Sequence, residues 1–212
     1  MNFLFLPIDI EIPNMDISKI QSTIIAATTA TSKVLQTQSA NNTFPQSSGS
    51  TNESPVEFEN AKYQPYWTTS RITETLDDNL KFILDQLPIS KVTNIYYKEQ
   101  KESVSPHYDV YPNMKFEEGE YANILDNEPS GYRLVLEGST DVLYVKSQGT
   151  FKLAELPSVP CCYLLNTTAG LHMLKDDPGR KIIYIRGFID TARHQTLIEK
   201  SLNRYKNLSI IS

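Results

Sequence analysis

The feature that most constrains this chain is a run of short, evenly punctuated apolar segments through its second half. Val92–Tyr97, Ser105–Tyr111, Tyr132–Leu136, Val142–Val145, Thr150–Leu153, Cys162–Leu165 and Lys181–Ile189 each have the length and the β-branched or aromatic content of a strand. Between them stand Pro112, Pro129-Ser130-Gly131, Gly138, Gly149, Pro157, Pro160 and Pro178-Gly179, residues that turn the chain. Short strands at such regular spacing point to a mainly β fold with flanking helices, a sandwich or barrel of the jelly-roll kind.

The rest of the chain reads as support for that core. Residues 1–12 predict a further strand, from Phe3-Leu4-Phe5-Leu6 into the alternation of Ile8, Ile10 and Ile12 with Asp9 and Glu11. From Ser70 to Leu87 the positions Ile72, Leu76, Leu80, Ile83, Leu84 and Leu87 fall at helical spacing, and Pro88 ends the run. Residues 191–206 predict a closing helix. In residues 31–54, 16 of 24 are Ser, Thr, Asn or Gln, which is too little apolar surface to offset the entropy of ordering. Residues 13–69 are therefore expected to form a long polar excursion or a lid, and 92–190 the core of one domain spanning 1–212. A 212-residue chain supports one sizeable core.

Charge and cysteine content narrow the setting. The net charge of -5 argues against a sequence-blind grip on nucleic acid, which rests on Lys and Arg neutralising phosphates, although a local basic cleft stays open. No run approaches the roughly 18 apolar residues a membrane span needs, and the first residues lack the basic start of an export signal. Cys161 and Cys162 are adjacent, a spacing that very rarely closes a disulfide. A soluble, cytoplasmic protein in a reducing compartment is expected, with no membrane or nucleic-acid partner.

There are only three histidines, His107, His172 and His194, so histidine chemistry must draw on these. In Pro106-His107-Tyr108-Asp109-Val110 the histidine and the carboxylate stand two apart on a predicted strand and leave the same face, within reach of one metal ion. His172 is the credible third donor, since His194 lies in the polar C-terminal helix. Two histidines and one carboxylate form the facial set that leaves coordination positions open on non-haem Fe(II). Beyond His172, strand alternation puts Arg180, Ile182, Tyr184, Arg186 and Phe188 on one face. An arginine there could hold a dicarboxylate through two parallel hydrogen bonds. A solvated arginine at a strand end is the plainer alternative.

The pattern Tyr97…His107-x-Asp109…His172…Arg180, followed by an aromatic and apolar strand, resembles the Fe(II)- and 2-oxoglutarate-dependent dioxygenases, closest to the prolyl-hydroxylase-like branch, over roughly residues 92–190. The strand Gly131-Tyr132-Arg133-Leu134-Val135-Leu136 is similar, more weakly, to the aspartyl/asparaginyl β-hydroxylase group. The resemblance implies a double-stranded β-helix, or cupin-like, core. It implies that His107, Asp109 and His172 bind the iron, that Arg180 holds the distal carboxylate of 2-oxoglutarate, and that Tyr97 hydrogen-bonds that cosubstrate. Tyr96 competes with Tyr97 and Lys181 with Arg180, because a slip of one residue reverses a strand's faces. Arg186 is expected to grip the other carboxylate of 2-oxoglutarate or an acidic group on the substrate, or else to pair internally with Asp190 or an acid of the opposite sheet.

The implied activity uses Fe(II), 2-oxoglutarate and O2, releases succinate and CO2, and hydroxylates a peptide or protein side chain, prolyl among the candidates. A free amino acid or small metabolite is the alternative substrate. A metal-binding cupin-like protein without turnover is the rival from another class. Leu134, Leu136, Tyr144 and Leu165 are expected to line the pocket, and Tyr63, Tyr66 and Trp67 to form a rim or, for Trp67, part of the core.

Overall fold

The computed structural model describes residues 3–22, 67–72, 76–107, 131–166 and 170–211. Eleven strands and three helices are defined in these residues. The strands are β1 (Phe3–Ile8), β2 (Trp67–Arg71), β3 (Ile89–Gln100), β4 (Val104–His107), β5 (Tyr132–Glu137), β6 (Leu143–Ser147), β7 (Thr150–Leu153), β8 (Cys161–Leu165), β9 (His172–Leu174), β10 (Lys181–Ile189) and β11 (Ile210–Ile211). The helices are α1 (Ile17–Ser22), α2 (Asp78–Gln86) and α3 (Thr191–Tyr205).

Two antiparallel sheets result. One runs β11-β1-β8-β5-β10-β3-β2 and the other β4-β9-β6-β7. From β3 onward the chain alternates between them: β3, β5, β8 and β10 belong to the larger sheet and β4, β6, β7 and β9 to the smaller. Apart from the 24 residues between β4 and β5, each crossing from β3 to β10 takes three to seven residues.

Strand alternation divides the apolar residues of the larger sheet into two layers. Tyr132, Leu134, Leu136, Cys162, Leu164, Ile183 and Ile185 face away from the smaller sheet, into a core with Ile20 of α1 and Leu80 and Ile83 of α2. Val135, Cys161, Tyr163, Leu165 and Ile182 face the smaller sheet and pack with Val104, Leu143 and Val145. Strands covered on both faces read as continuous apolar runs, which is why Phe3–Ile8 and Cys161–Leu165 are buried at every residue. Both cysteines are free and buried. Burial pushes the Cys161 thiol up to about 12 and the Cys162 thiol higher, so neither is a reactive thiolate at neutral pH.

Local chemistry fixes the connections. The β6–β7 hairpin turns on Gln148 and Gly149, both at positive φ (50° and 84°), the geometry of a tight two-residue turn matched to strand twist. Helix α3 is held at both ends. Its N-cap Asp190 accepts from the Arg193 amide at 3.1 Å, and near its C-terminus Arg204 and Lys200 converge on Asp9, just after β1.

The helix expected over Ser70–Leu87 is shorter than its spacing predicts. Residues 67–71 instead pair with β3, from Trp67 opposite Gln100 to Arg71 opposite Tyr96. Ile72 lies in the outer core at the end of this strand, so its helical spacing to Leu76 is coincidental. Asp77 marks the true start: its side chain accepts from the Asn79 amide at 2.9 Å and pairs with Lys19 at 2.7 Å. The hydrogen bond from Lys19 holds the Asp77 carboxyl below the usual range. Asp77→Ala is expected to cost about 1 kcal/mol of unfolding free energy through loss of the cap, measured by urea denaturation. Asp77→Asn keeps the cap and removes the charge. Because the folded carboxyl is depressed, its ionic contribution is present at neutral pH and fades as pH falls through the folded value, so wild type and Asp77→Asn should converge in acid.

Of the expected excursion 13–69, only residues 13–22 and 67–69 are described. The candidate rim residues Tyr63 and Tyr66 lie outside the described residues, as does the side chain of Trp67.

Candidate functional site

A small, half-open pocket lies between the sheets, lined by Lys98, Val104, His107, Arg133, Leu143, Tyr163, Leu165, His172, Leu174, Ile182 and Tyr184. Every strand from β3 to β10 except β7 contributes to it.

Two of the three histidines meet here. His107 ends β4, His172 begins β9, and the two are direct cross-strand partners with ring centroids 4.4 Å apart. A backbone carbonyl sits against each Nδ1: Ser105 O at 2.7 Å from His107 and Gly170 O at 3.1 Å from His172. A carbonyl only accepts, so each ring carries a proton on Nδ1, and in the neutral imidazole that leaves the lone pair on Nε2, the arrangement of a metal-ligating histidine. Asp109 lies outside the described residues, and among these no three His, Cys, Asp or Glu side chains gather as a metal site. His194 is excluded by position. It is buried on α3, with Nδ1 2.7 Å from the Tyr132 hydroxyl, on the outer side of the larger sheet.

Arg180 precedes β10 and shares the inward parity of Ile182 and Tyr184. It is 0% exposed, and none of its three guanidinium nitrogens has a hydrogen-bond partner among the described residues. The effective penalty for burying an unpaired ion is several kcal/mol, so a fold that retains one is waiting for an anion. Its backbone is clamped: Arg180 N donates to Asp177 O at 3.0 Å, and Arg180 O accepts from the Gln100 amide at 2.9 Å. Gly138, at φ 124°, makes room for the side chain. A Cβ there would lie 2.6 Å from Arg180 Cγ and 2.8 Å from Asp177 Oδ2. Gly138→Ala is therefore expected to cost about 1–3 kcal/mol of stability, seen as a lowered Tm.

Lys181, the rival of Arg180, turns to the other face and pairs with Glu137 at 2.6 Å; that hydrogen bond raises its pKa. Tyr97 requires a correction. It pairs with Ile183 and lies in the outer core, where its hydroxyl accepts from Gln21 Nε2 at 2.9 Å and burial pushes the phenol up. The inward parity on β3 belongs to Tyr96, Lys98 and Gln100. Leu134 and Leu136 also face the outer core, and Tyr144 is not in the lining, packing instead under Lys175, 4.6 Å from its ring centre. Leu165 does line the pocket. The backbone of Arg186 pairs with Asn94, and its side chain lies outside what is described.

Sequence reasoning missed Lys98 altogether and saw Arg133 only through a family resemblance. Both stand within 5 Å of the Tyr184 ring centre, Lys98 Nζ at 4.8 Å and Arg133 Cζ at 4.7 Å. The signal was parity: once β3 is registered on β10, Lys98 must face inward with Tyr184.

No protein-family model matches the sequence, and no curated protein does. Among solved structures, the chain is similar to a prolyl-4-hydroxylase from Pseudomonas putida, at 10% identity over 87% of this chain and 93% of that one, with a TM-score of 0.39. It is also similar to an oxidoreductase of the 2OG-Fe(II) oxygenase family from Burkholderia pseudomallei, at 13% identity over 67% and 74% of the two chains, with a TM-score of 0.35.

Proposed function

We propose that this protein is an Fe(II)- and 2-oxoglutarate-dependent oxygenase on a double-stranded β-helix, or jelly-roll, core. The observation that carries the reading is the fully buried guanidinium of Arg180, without a hydrogen-bond partner among the described residues, on the sheet face that also lines the histidine pocket. A metal-binding protein without turnover has no need of it. The order β4-β9-β6-β7 facing β8-β5-β10-β3 supports the fold assignment, since from β3 to β10 the chain alternates between the sheets except at the β6–β7 hairpin.

His107 and His172, with lone pairs fixed on Nε2, fit a divalent metal, and Asp109 would complete the set. Bound there with 2-oxoglutarate, iron(II) supplies oxygen activation for hydroxylation, with succinate and CO2 as coproducts. The chain's own residues do the rest. Arg180 holds the distal carboxylate of 2-oxoglutarate through its planar fork. Leu143, Leu165, Leu174 and Ile182 keep water from the walls, which strengthens every charge interaction inside. A peptide or protein side chain, prolyl among the candidates, is the proposed substrate, and a free amino acid or small metabolite the alternative. The test is succinate formation by purified protein supplied with Fe(II), 2-oxoglutarate and air, with and without pooled peptides. Succinate is expected to require both the metal and 2-oxoglutarate and to rise with a substrate pool. Metal binding without succinate under any pool would overturn the reading.

A further inference from the structure

We propose that Gln100 is a positioning residue for Arg180: its fixed side-chain oxygen accepts one of the spare guanidinium N–H groups and so turns the fork onto the distal carboxylate of 2-oxoglutarate; naming that anion rests on the oxygenase reading above.

The backbone sets the two side chains next to each other. Arg180 N closes the turn Asp177-Pro178-Gly179-Arg180 on Asp177 O at 3.0 Å, with Gly179 at φ 85°. Gly179 N then donates to Gln100 O at 3.0 Å, and Gln100 N donates to Arg180 O at 2.9 Å. One residue of β3 thus opposes two of the facing chain, a bulge of the kind that re-aims a side chain. The next pair in register is Lys181 with Glu99, and Lys181 turns outward, so Arg180 and Gln100 share the inward face. Residues opposed in this way hold their Cβ atoms about 5 Å apart.

Gln100 is as deeply buried as its neighbour, at 1% exposure. Its Nε2 spends both N–H groups, on Lys175 O at 2.7 Å and on Glu102 O at 3.0 Å. Exchanging the amide oxygen and nitrogen would set an acceptor against two carbonyls, so the orientation is fixed and Oε1 stays an acceptor. Oε1 has no donor among the described residues, just as no Arg180 side-chain nitrogen has an acceptor among them. A carboxylate engages two of the five guanidinium N–H groups, and those left over need acceptors in a dry site. Asp177, the acid nearest to Arg180 in sequence, is taken by the Ser139 amide at 2.8 Å. Gln100 Oε1 meets the need without neutralising the cation. A carboxylate in its place would pair with Arg180 and compete with the anion.

The test is calorimetric binding of two 2-oxo acids to the full chain loaded with redox-inert Zn(II). The first is 2-oxoglutarate, and the second is 2-oxopentanoate, which keeps the 2-oxo acid end and lacks the distal carboxylate. Gln100→Leu is expected to lower the preference for 2-oxoglutarate by about tenfold, the worth of a hydrogen bond to a charged group, with 2-oxopentanoate unaffected. Gln100→Glu should lower it further. On an Arg180→Met background, Gln100→Leu should change the 2-oxoglutarate affinity no further, because its effect runs through the arginine. Equal weakening of both ligands is what a merely structural side chain would give, and it would overturn the proposal. So would an undiminished preference in Gln100→Leu, a tenfold loss that persists in the double variant, or a wild type that shows no preference. If the variants do not fold, crystals of the wild type with Zn(II) and 2-oxoglutarate decide. Oε1 accepting from an Arg180 N–H is expected, and Oε1 bonded to any other donor would overturn the proposal. Succinate from the iron-loaded wild type is measured separately: coupling without succinate fails the oxygenase reading alone, and succinate without coupling fails this proposal alone.

Discussion

Arg180→Met is expected to make the protein more stable and to disable it. Methionine keeps the length and much of the volume of the arginine side chain while removing a charge that is 0% exposed and unpartnered among the described residues. Replacing buried charge by well-packed apolar groups is often neutral or stabilising by about 1–4 kcal/mol. A gain in that range should appear as a higher urea midpoint with an unchanged m-value. The same substitution removes the proposed grip on 2-oxoglutarate, so succinate formation at limiting 2-oxoglutarate should fall by about a hundredfold or more, most of it as a raised KM. Few substitutions separate stability from activity so cleanly. Loss of both would assign Arg180 an internal structural partner, and retention of full activity would remove it from the site.

His172→Ala is expected to abolish metal-dependent activity. Even the groups that orient a metal ligand are worth about 10–100-fold in affinity or activity, so a direct ligand is worth more. Metal binding, followed by calorimetry with Mn(II) or Fe(II) under nitrogen, should fall by at least about a hundredfold. His194→Ala supplies the contrast. It breaks the 2.7 Å contact with the Tyr132 hydroxyl on the other side of the sheet and should lower stability by about 1–3 kcal/mol while leaving metal affinity unchanged. Unchanged metal affinity in His172→Ala would place the metal elsewhere.

Much of the fold was legible because its strands are short, apolar and separated by glycine and proline. Thr150–Leu153 and Lys181–Ile189 coincide with β7 and β10 at both ends, and the closing helix with α3 to within one residue. Three strands escaped notice for physical reasons. His172–Leu174 is three residues long and begins on a polar side chain, Ile210–Ile211 is shorter still, and β2 hides inside a stretch whose Ile72 and Leu76 mimic helical spacing. The pairing of His107 with His172 was within reach of the sequence, since the scarcity of histidine and the two-residue step to Asp109 left few alternatives. The face of β3 was not. Tyr96 and Tyr97 are chemically alike, and only the register on β10, with Tyr96 opposite Tyr184 and Tyr97 opposite Ile183, decides which looks inward. The same register brings Lys98 to the pocket, a residue with no motif of its own.

The central claim joins three groups, the histidine pair, Asp109 and the buried arginine, around one cosubstrate. A crystal structure of the full chain with Mn(II) and 2-oxoglutarate tests it most directly. The expected result is one metal on Nε2 of His107, Nε2 of His172 and the Asp109 carboxylate, with the distal carboxylate of 2-oxoglutarate on the Arg180 guanidinium. A metal bound away from the histidine pair would contradict the account. So would a 2-oxoglutarate held by Lys98 and Arg133 above an Arg180 that still has no partner.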